Sequence, residues 1–473
     1  YLVLQEYLTQ KGEPFTITPY LFLPDKSKHC KTEGLNSLFK LRSEKFSSKI
    51  FRAVAVDIDE NFKKDIENED LLVLVPFYDE VIELQEEIKL RSTKFLNSLN
   101  PLLINEQAKL NKGCFSCEYN VSNEEFKDSG FDLCWKDKNE PEHSINDLYY
   151  SGSLGKKSLG IENLVDHLIE ANKLSLYDIP DEFIGDGSRG QRQRIQLEFT
   201  QSEEEYFSED MTEALKWTYP LHFIDFETAT AALPYHKGMS PYEAVAFQWS
   251  CHTIREPGAE PEHFEWINLN QKFPNFDFAG SLMKCIGNEG TVLMWATHEN
   301  TILRNIFNQM EKYNIEDEAL KHWLKGIVKF GKEDKSRLID MNRFTLDHYF
   351  HPKMKGQTSI KKVLPAVLYE NSSTRISRWL AEFDSKFSLL NENDGRITDP
   401  YAQLPSLDIF DGGEKYLKDG GGAMAAYQEI LLGLRKNDAE SLKAYEKGLL
   451  NYCKLDTLAM VIIWEHWKTS LSI

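Results

Sequence analysis

The run LHFIDFET (Leu221–Thr228) constrains the fold most, because it is a compact apolar stretch that ends in acids. A short apolar run of this kind predicts a buried strand. Side chains alternate between the two faces of a strand, so Asp225 and Glu227 share one face while Ile224 and Phe226 pack on the other. Two carboxylates about 6–7 Å apart repel each other, and a divalent cation such as Mg²⁺ usually offsets them. The alternative is a solvated strand end.

The pattern after this run predicts further strands and helices. Residues 244–254 and 263–269 predict two strands, a helix follows, and residues 291–298 predict a fourth strand ahead of another helix. Three strands in a meander, then helix, strand and helix, describe an α/β or α+β unit. We therefore expect an α/β fold with a mixed sheet flanked by helices. The order suits a ribonuclease-H-like sheet, although several other folds also fit it.

Further acidic residues are predicted to lie near the same edge of the sheet. Glu299 directly follows the strand predicted over 291–298, at the edge where ligands gather in open α/β sheets. Asp456 lies in a strongly helical C-terminal segment, and Tyr452 precedes it by one helical turn on the same face. Each has a structural alternative: a helix-start carboxylate, a surface acid and a core-edge aromatic, respectively.

Three strings carry a resemblance to a known family. IDFET, WATHENTIL and NYCKLDTLAM resemble the three exonuclease motifs of the DEDD superfamily, in its tyrosine-containing branch, which has a ribonuclease-H-like fold. More closely, residues 217–473, apart from about 369–418, resemble the exonuclease-like half of a bacterial family of unknown function. That family pairs this half with a RecB-like nuclease module of the PD-(D/E)XK class.

The resemblance implies residue roles. The first motif gives Asp225 and Glu227, the second gives Glu299 where the superfamily usually has Asp, and the third gives Tyr452 and Asp456. It implies a 3′–5′ exonuclease that hydrolyses phosphodiester bonds of DNA or RNA with two Mg²⁺ or Mn²⁺ ions. All four carboxylates would be metal ligands, with Asp225 bridging both ions, and the tyrosine would orient the attacking water. The glutamate of the second motif is one methylene longer than aspartate, so it can still reach a metal ion, but with a different coordination geometry.

Lys361 and Lys362, in GQTSIKKVL, are candidate contacts for substrate phosphate. A solvated helix start is the equally simple alternative. The loop PYHKGMSPYEAVAFQ is a further candidate contact for a terminal nucleotide, and Asp340 is expected to be structural.

Cys114 and Cys117 form a CxxC motif, and Cys134 follows. Three thiols this close in a reducing compartment favour a metal or an iron–sulfur cluster, with simple structural thiols or a zinc site as alternatives. The three resemble the late cysteines of RecB-like nucleases that carry a 4Fe–4S cluster. The early cysteine and the PD-(D/E)XK residues would then precede Tyr1, so we expect the cluster site to be incomplete in this chain.

The expected organisation has three parts: a partial RecB-like module over 1–185, a connector over 186–216 and the exonuclease-like domain over 217–473, with an insertion at about 369–418. The net charge of −20 excludes a uniformly basic nucleic-acid coat but not a local basic groove. No apolar stretch is long enough for a membrane span, and seven cysteines predict a reducing, cytoplasmic location.

Two other functions stay open at this point. One is a nucleic-acid-binding or scaffold protein whose catalytic site has decayed, which the glutamate of the second motif motivates. The other is a glycoside hydrolase, although that chemistry needs one carboxylic acid and one carboxylate rather than four clustered acids.

Overall fold

The N-terminal part of the chain consists of small paired strands and helices. The computed structural model describes residues 1–12, 14–45, 52–58, 60–99, 109–120, 129–136, 138, 141–331, 334–369, 373–383, 399–404, 406–410, 413–416, 420–432 and 438–471. The first elements are α1 (Leu2–Lys11), β1 (Tyr20–Pro24), β2 (Phe39–Lys45), β3 (Arg52–Ile58), α2 (Lys63–Glu67), β4 (Leu72–Pro76) and α3 (Tyr78–Ser98). β1 pairs with β4 and β2 pairs with β3, both antiparallel.

Two sequence predictions in this part need correction. The alternation over 14–23 predicts a strand, but the strand begins only at Tyr20. Among the described residues, 14–19 form no strand pairing, and their backbone contact is Phe77 N–H to Pro19 O. The helix predicted from Asp79 to about Leu110 ends at Ser98. The remainder of that prediction, over 100–108, lies outside the described residues.

A helix and a short strand occupy part of the connector predicted over 186–216. After α4 (Gly130–Trp135) and α5 (Leu164–Glu170), the chain forms α6 (Ser188–Ser202) and β5 (Tyr206–Phe207). Helix α6 buries polar side chains: Arg192 donates to the carbonyl of Tyr349 (2.5 Å), and Gln196 donates to that of Asp147 (2.6 Å). The buried face of α6 carries polar side chains instead of an apolar stripe, so its sequence lacks the hydrophobic period that predicts a helix. The three domain boundaries stay predictions.

Five strands form a mixed sheet in the C-terminal part. They are β6 (Leu221–Ala229), β7 (Val245–Ile254), β8 (Glu262–Ile267), β9 (Thr291–Met294) and β10 (Leu338–Asp340). The order across the sheet is β10-β9-β6-β7-β8. β7 runs antiparallel to both of its neighbours, while β9 is parallel to β6 and β10 is parallel to β9. The predicted mixed α/β architecture is therefore confirmed at this level.

Helices cover both faces of this sheet. One face carries α7 (Asn275–Ile286), α8 (His298–Lys312) and α9 (Glu318–Ile327). The elements that follow are α10 (Met341–His348), β11 (Tyr349–Phe350), α11 (Ile360–Tyr369), α12 (Thr374–Phe383), β12 (Ser406–Phe410), β13 (Gly413–Tyr416), α13 (Gly420–Leu432) and α14 (Ala439–Leu471). Ile224 and Phe226 pack in the core under α7–α9, as predicted, and Phe223 packs against α14 on the opposite face.

No helix within the described ranges combines the length and the apolar character needed to cross a lipid bilayer.

Candidate metal centre

Strand β6 presents two acids on the face that α14 covers. Asp225 lies opposite Ser250 of β7, and Glu227 lies opposite Gln248. The register shifts immediately after Glu227, so β7 contains one extra residue there. Such a bulge locally increases strand twist and is common beside functional sites. The period of two residues that predicts a shared face for Asp225 and Glu227 is maintained up to this bulge.

Polar contacts from β7 hold α14 across this face. The Thr457 hydroxyl lies 2.9 Å from the Ser250 hydroxyl and 2.8 Å from Nδ1 of His252. Gln248 donates its side-chain amide to the carbonyl of Leu449 (2.8 Å). These buried contacts fix the rotation of α14 about its axis, so the residue before Thr457, Asp456, approaches the acids of β6.

Asp225, Glu227 and Asp456 form the acidic cluster. Each offers an oxygen, and these oxygens lie within 4.8 Å of one another. Glu227 and Asp456 are buried, at 4% and 8% exposure, and Asp225 is partly buried. Burial raises the pKa of all three carboxyls, and the neighbouring acids raise those of Asp225 and Glu227 further. Ionising this cluster is therefore unfavourable unless a cation joins it.

Glu299 lies in the first turn of α8 with a side chain only 2% exposed. Its Oε2 is buried and has no hydrogen-bond partner among the described residues. Burial raises its pKa, and the charges of Asp225, Asp340 and Asp456 raise it further. Glu299 thus belongs to the same electrostatic site, although it is not one of the three residues whose oxygens lie within 4.8 Å. An unpaired buried carboxylate oxygen beside three acids fits a ligand position for a hard cation.

Tyr452 and Lys361 contact each other beside the cluster. The Lys361 ammonium donates to the Tyr452 hydroxyl (2.9 Å) and lies 5.1 Å from the centre of its ring. Burial raises the pKa of Tyr452, and the charge of Asp456 raises it further, so the phenol stays protonated. Lys361 also lowers the pKa of each acid in the cluster, although burial outweighs this effect. The next residue, Lys362, is exposed.

Two residues of the site were not predicted from the sequence. The Tyr401 hydroxyl donates to Oδ1 of Asp456, and the Cys453 thiol donates to Oδ2 of Asp225 (3.1 Å). Helical spacing places Cys453 one turn from Thr457 on the face toward β7, which is a usable clue. No comparable clue exists for Tyr401, which belongs to the segment predicted as an insertion.

The other predicted positions have structural contacts. Asp340 caps α10 by accepting from the backbone N–H of Arg343 (3.0 Å), which is the structural role expected of it. The loop over 234–243 contacts the N-terminal part, where the backbone N–H of Cys30 donates to the carbonyl of Met239 (2.8 Å).

The three predicted cluster cysteines are placed near one small apolar core. Cys114 and Cys117 are partly buried against it, and Cys134 is exposed. Among the described residues they do not form a group of closely spaced ligand atoms like that of the acidic cluster.

Comparisons with known proteins give one match. A family model described as "Domain of unknown function (DUF2779)" matches residues 222–359. This range includes Asp225, Glu227 and Glu299 and ends before α14. No curated protein and no solved structure matches the chain.

Proposed function

We propose that this protein is a metal-dependent nuclease, a 3′–5′ exonuclease that hydrolyses phosphodiester bonds of DNA or RNA by a two-metal mechanism. The observation that carries the proposal is the acidic cluster, in which Asp225, Glu227 and Asp456 converge from a strand and a distant helix. The resemblance of IDFET, WATHENTIL and NYCKLDTLAM to exonuclease motifs supports it independently of the geometry.

The sheet topology also supports the proposal. A three-stranded meander, β6-β7-β8, is followed by two strands that extend the sheet on the other side of β6. This order favours a ribonuclease-H-like fold. In that arrangement the acids of the first strand, the acid after the fourth strand and the acid of the last helix would share one end of the sheet.

The donor set fits Mg²⁺ or Mn²⁺. Asp225, Glu227 and Asp456 would hold the ions, and the unpaired Oε2 of Glu299 would complete the set. Carboxylate oxygens are the ligands that these hard cations prefer. When bound, the ions would activate the attacking water and neutralise charge on the leaving oxygen.

The residues of the chain have separate tasks in this scheme. Tyr452, a protonated phenol, donates or accepts a hydrogen bond that orients the attacking water, and its raised pKa makes it unsuitable as a base. Lys361 holds that hydroxyl in place and reduces repulsion among the acids before a substrate arrives. Exposed Lys362 remains the candidate contact for a substrate phosphate.

Digestion of labelled oligonucleotides tests the proposal. Single-stranded DNA and RNA, labelled at the 5′ or the 3′ end, are incubated with the protein in Mg²⁺, Mn²⁺ or chelator. We expect metal-dependent, stepwise shortening of 5′-labelled strands. Asp225→Asn should reduce shortening to the level of the chelator control, whereas Asp277→Asn, an exposed acid paired with Lys272, should not. Degradation by Asp225→Asn at the wild-type rate would contradict the assignment of this residue to the catalytic site.

A decayed, nucleic-acid-binding protein is the second candidate. The position of Glu299 outside the close group of ligand oxygens favours it, because an incomplete ligand set weakens metal binding. Tight binding of a single strand without turnover in Mn²⁺ would support this candidate. Degradation of glycosides in the presence of chelator would instead support the glycosidase reading.

The iron–sulfur proposal for Cys114, Cys117 and Cys134 is separate from the nuclease site. Anaerobic reconstitution of the chain with iron and sulfide, followed by visible absorbance and iron quantification, tests it. Replacing Cys117 by Ser should abolish the signal if the cluster forms, and an unchanged signal would rule out this ligand.

A further inference from the structure

Residues 399–404, in the segment predicted as an insertion, contact the acidic cluster directly. Tyr401 is buried and donates its hydroxyl to Oδ1 of Asp456. This contact joins residues far apart in sequence. A carboxylate has two oxygens, so this hydrogen bond to Oδ1 of Asp456 leaves Oδ2 available to a cation.

Local structure fixes the position of Tyr401. The segment forms a short 3-10 helix (Pro400–Gln403), and the side chain of Asp399 accepts from the backbone N–H of Tyr401 (3.0 Å). Pro400, at the start of this turn, has a restricted backbone. The cap and the proline restrain the backbone at Tyr401 independently of the contact that its hydroxyl makes.

The ring of Tyr401 also lies near the ammonium group of Lys361. The Lys361 ammonium lies 5.6 Å from the centre of the Tyr401 ring and donates to the hydroxyl of Tyr452. One ammonium therefore contacts two tyrosines, each of which interacts with the cluster.

We propose that Tyr401 is a positioning residue of the metal centre, one that orients the Asp456 carboxylate for cation binding. This inference rests on the proposed function, because it assumes that Asp456 is a metal ligand. Partners that donate hydrogen bonds to ligating carboxylates fix their orientation, and their loss typically lowers metal affinity by about 10–100-fold.

Direct Mn²⁺ titration of the intact chain, followed by the paramagnetic resonance of free Mn²⁺, tests the inference. Tyr401→Phe keeps the ring and removes only the hydroxyl. We expect its Kd for Mn²⁺ to rise by about 10–100-fold. The matched control is Tyr235→Phe, which removes a buried hydroxyl that accepts from Gln428 and contacts no acid of the cluster. Its Kd should stay within about twofold of the wild-type value.

A metal-dependence curve separates positioning from general damage. If Tyr401 acts through the metal ligand, the Mn²⁺ concentration that gives half-maximal activity rises by the same factor as the Kd. Saturating Mn²⁺ then restores most of the wild-type kcat. Asp399→Ala, which removes the backbone cap but keeps the phenol, should weaken Mn²⁺ binding in the same direction by a smaller factor. It replaces Tyr401→Phe if that variant does not fold.

The possible results distinguish the role of Tyr401 from the nuclease proposal. An unchanged Kd in Tyr401→Phe, or in Asp399→Ala where Tyr401→Phe does not fold, overturns the inference and leaves the nuclease proposal intact. A raised Kd without nuclease activity in the wild type supports the inference and refutes the nuclease proposal. Absence of Mn²⁺ binding by the wild type overturns both.

Discussion

Replacing Asp456 by Asn should stabilise the metal-free protein. Asp456 is buried beside Asp225 and Glu227, and burial raises its pKa to about 6. At neutral pH the carboxyl is nevertheless ionised, so the fold carries the free energy of a charge in unfavourable surroundings. Asparagine removes that charge and retains a side-chain oxygen to accept from Tyr401. Stability and function therefore oppose each other at this position, as they often do in active sites.

The expected magnitude follows from the pKa of Asp456. Its ordinary value is 3.8 and its value in the fold is about 6. At about 1.4 kcal/mol per pKa unit, the difference corresponds to about 3 kcal/mol. The folded state binds the proton more tightly than the unfolded state, so the destabilisation is absent below about pH 4, grows between about pH 4 and pH 6, and is complete above pH 6.

Thermal and urea unfolding in chelator, at pH 7.5 and at pH 4, measures this effect. At pH 7.5 we expect Asp456→Asn to be more stable than wild type by about 3 kcal/mol, or about 6 °C in Tm for a domain of this size. At pH 4 most of the difference should vanish. The control Asp277→Asn should change stability by less than about 0.5 kcal/mol. A variant no more stable than wild type at pH 7.5, or equally stabilised at pH 4, would refute the reasoning.

Added Mn²⁺ should narrow the stability difference between the two proteins. A ligand at 100 times its Kd stabilises the state that binds it by about 2.7 kcal/mol. Wild type gains this stabilisation through the acidic cluster, and Asp456→Asn, which lacks one ligand, gains less. Equal stabilisation of both proteins by Mn²⁺ would place the binding site elsewhere.

Three further predictions concern other parts of the structure. Lys361→Met removes the cation that lowers the pKa of the clustered acids, so the acid limb of Mn²⁺-dependent activity should move to higher pH, whereas Lys362→Met should leave the pH profile unchanged. Cys453→Ala removes a buried thiol donor to the cluster and should weaken Mn²⁺ binding in calorimetry more than Cys453→Ser, which keeps a donor; equal effects would contradict this role. Gln196→Leu removes the side-chain hydrogen bonds to the Tyr149 N–H and the Asp147 carbonyl, both partly buried, and should lower the free energy of unfolding by about 2–4 kcal/mol, whereas the exposed Gln191→Leu should change it little.

The sequence predicts the sheet and part of its site because these depend on local patterns. The strands β6–β8 and the helices α7, α8 and α14 follow periodicities of about two and 3.6 residues. The shared face of Asp225 and Glu227 follows from the same rule. Their proximity to Asp456 does not, since it depends on the rotation that Thr457 imposes on α14.

The unpredicted features depend on long-range polar contacts. Tyr401 reaches Asp456 from a segment rich in Ser, Asn and Asp, where no apolar period marks a buried residue. Helix α6 is hidden in the sequence because Arg192 and Gln196 bury polar groups against backbone carbonyls. Neither contact has a signature within a short window of residues. Lys361 illustrates an intermediate case: the sequence predicts it as a contact for substrate phosphate, but its hydrogen bond to Tyr452 is visible only in three dimensions.

The most direct measurement of the central claim is the position of Mn²⁺ in crystals of the intact chain, located by anomalous diffraction. The account predicts two peaks about 3.5–4 Å apart, bound by Asp225, Glu227 and Asp456, with Oε2 of Glu299 contacting one of them. Anomalous peaks at acids elsewhere on the surface, with no density at the cluster, would contradict it. Crystals in which these carboxylates are dispersed would contradict it as well.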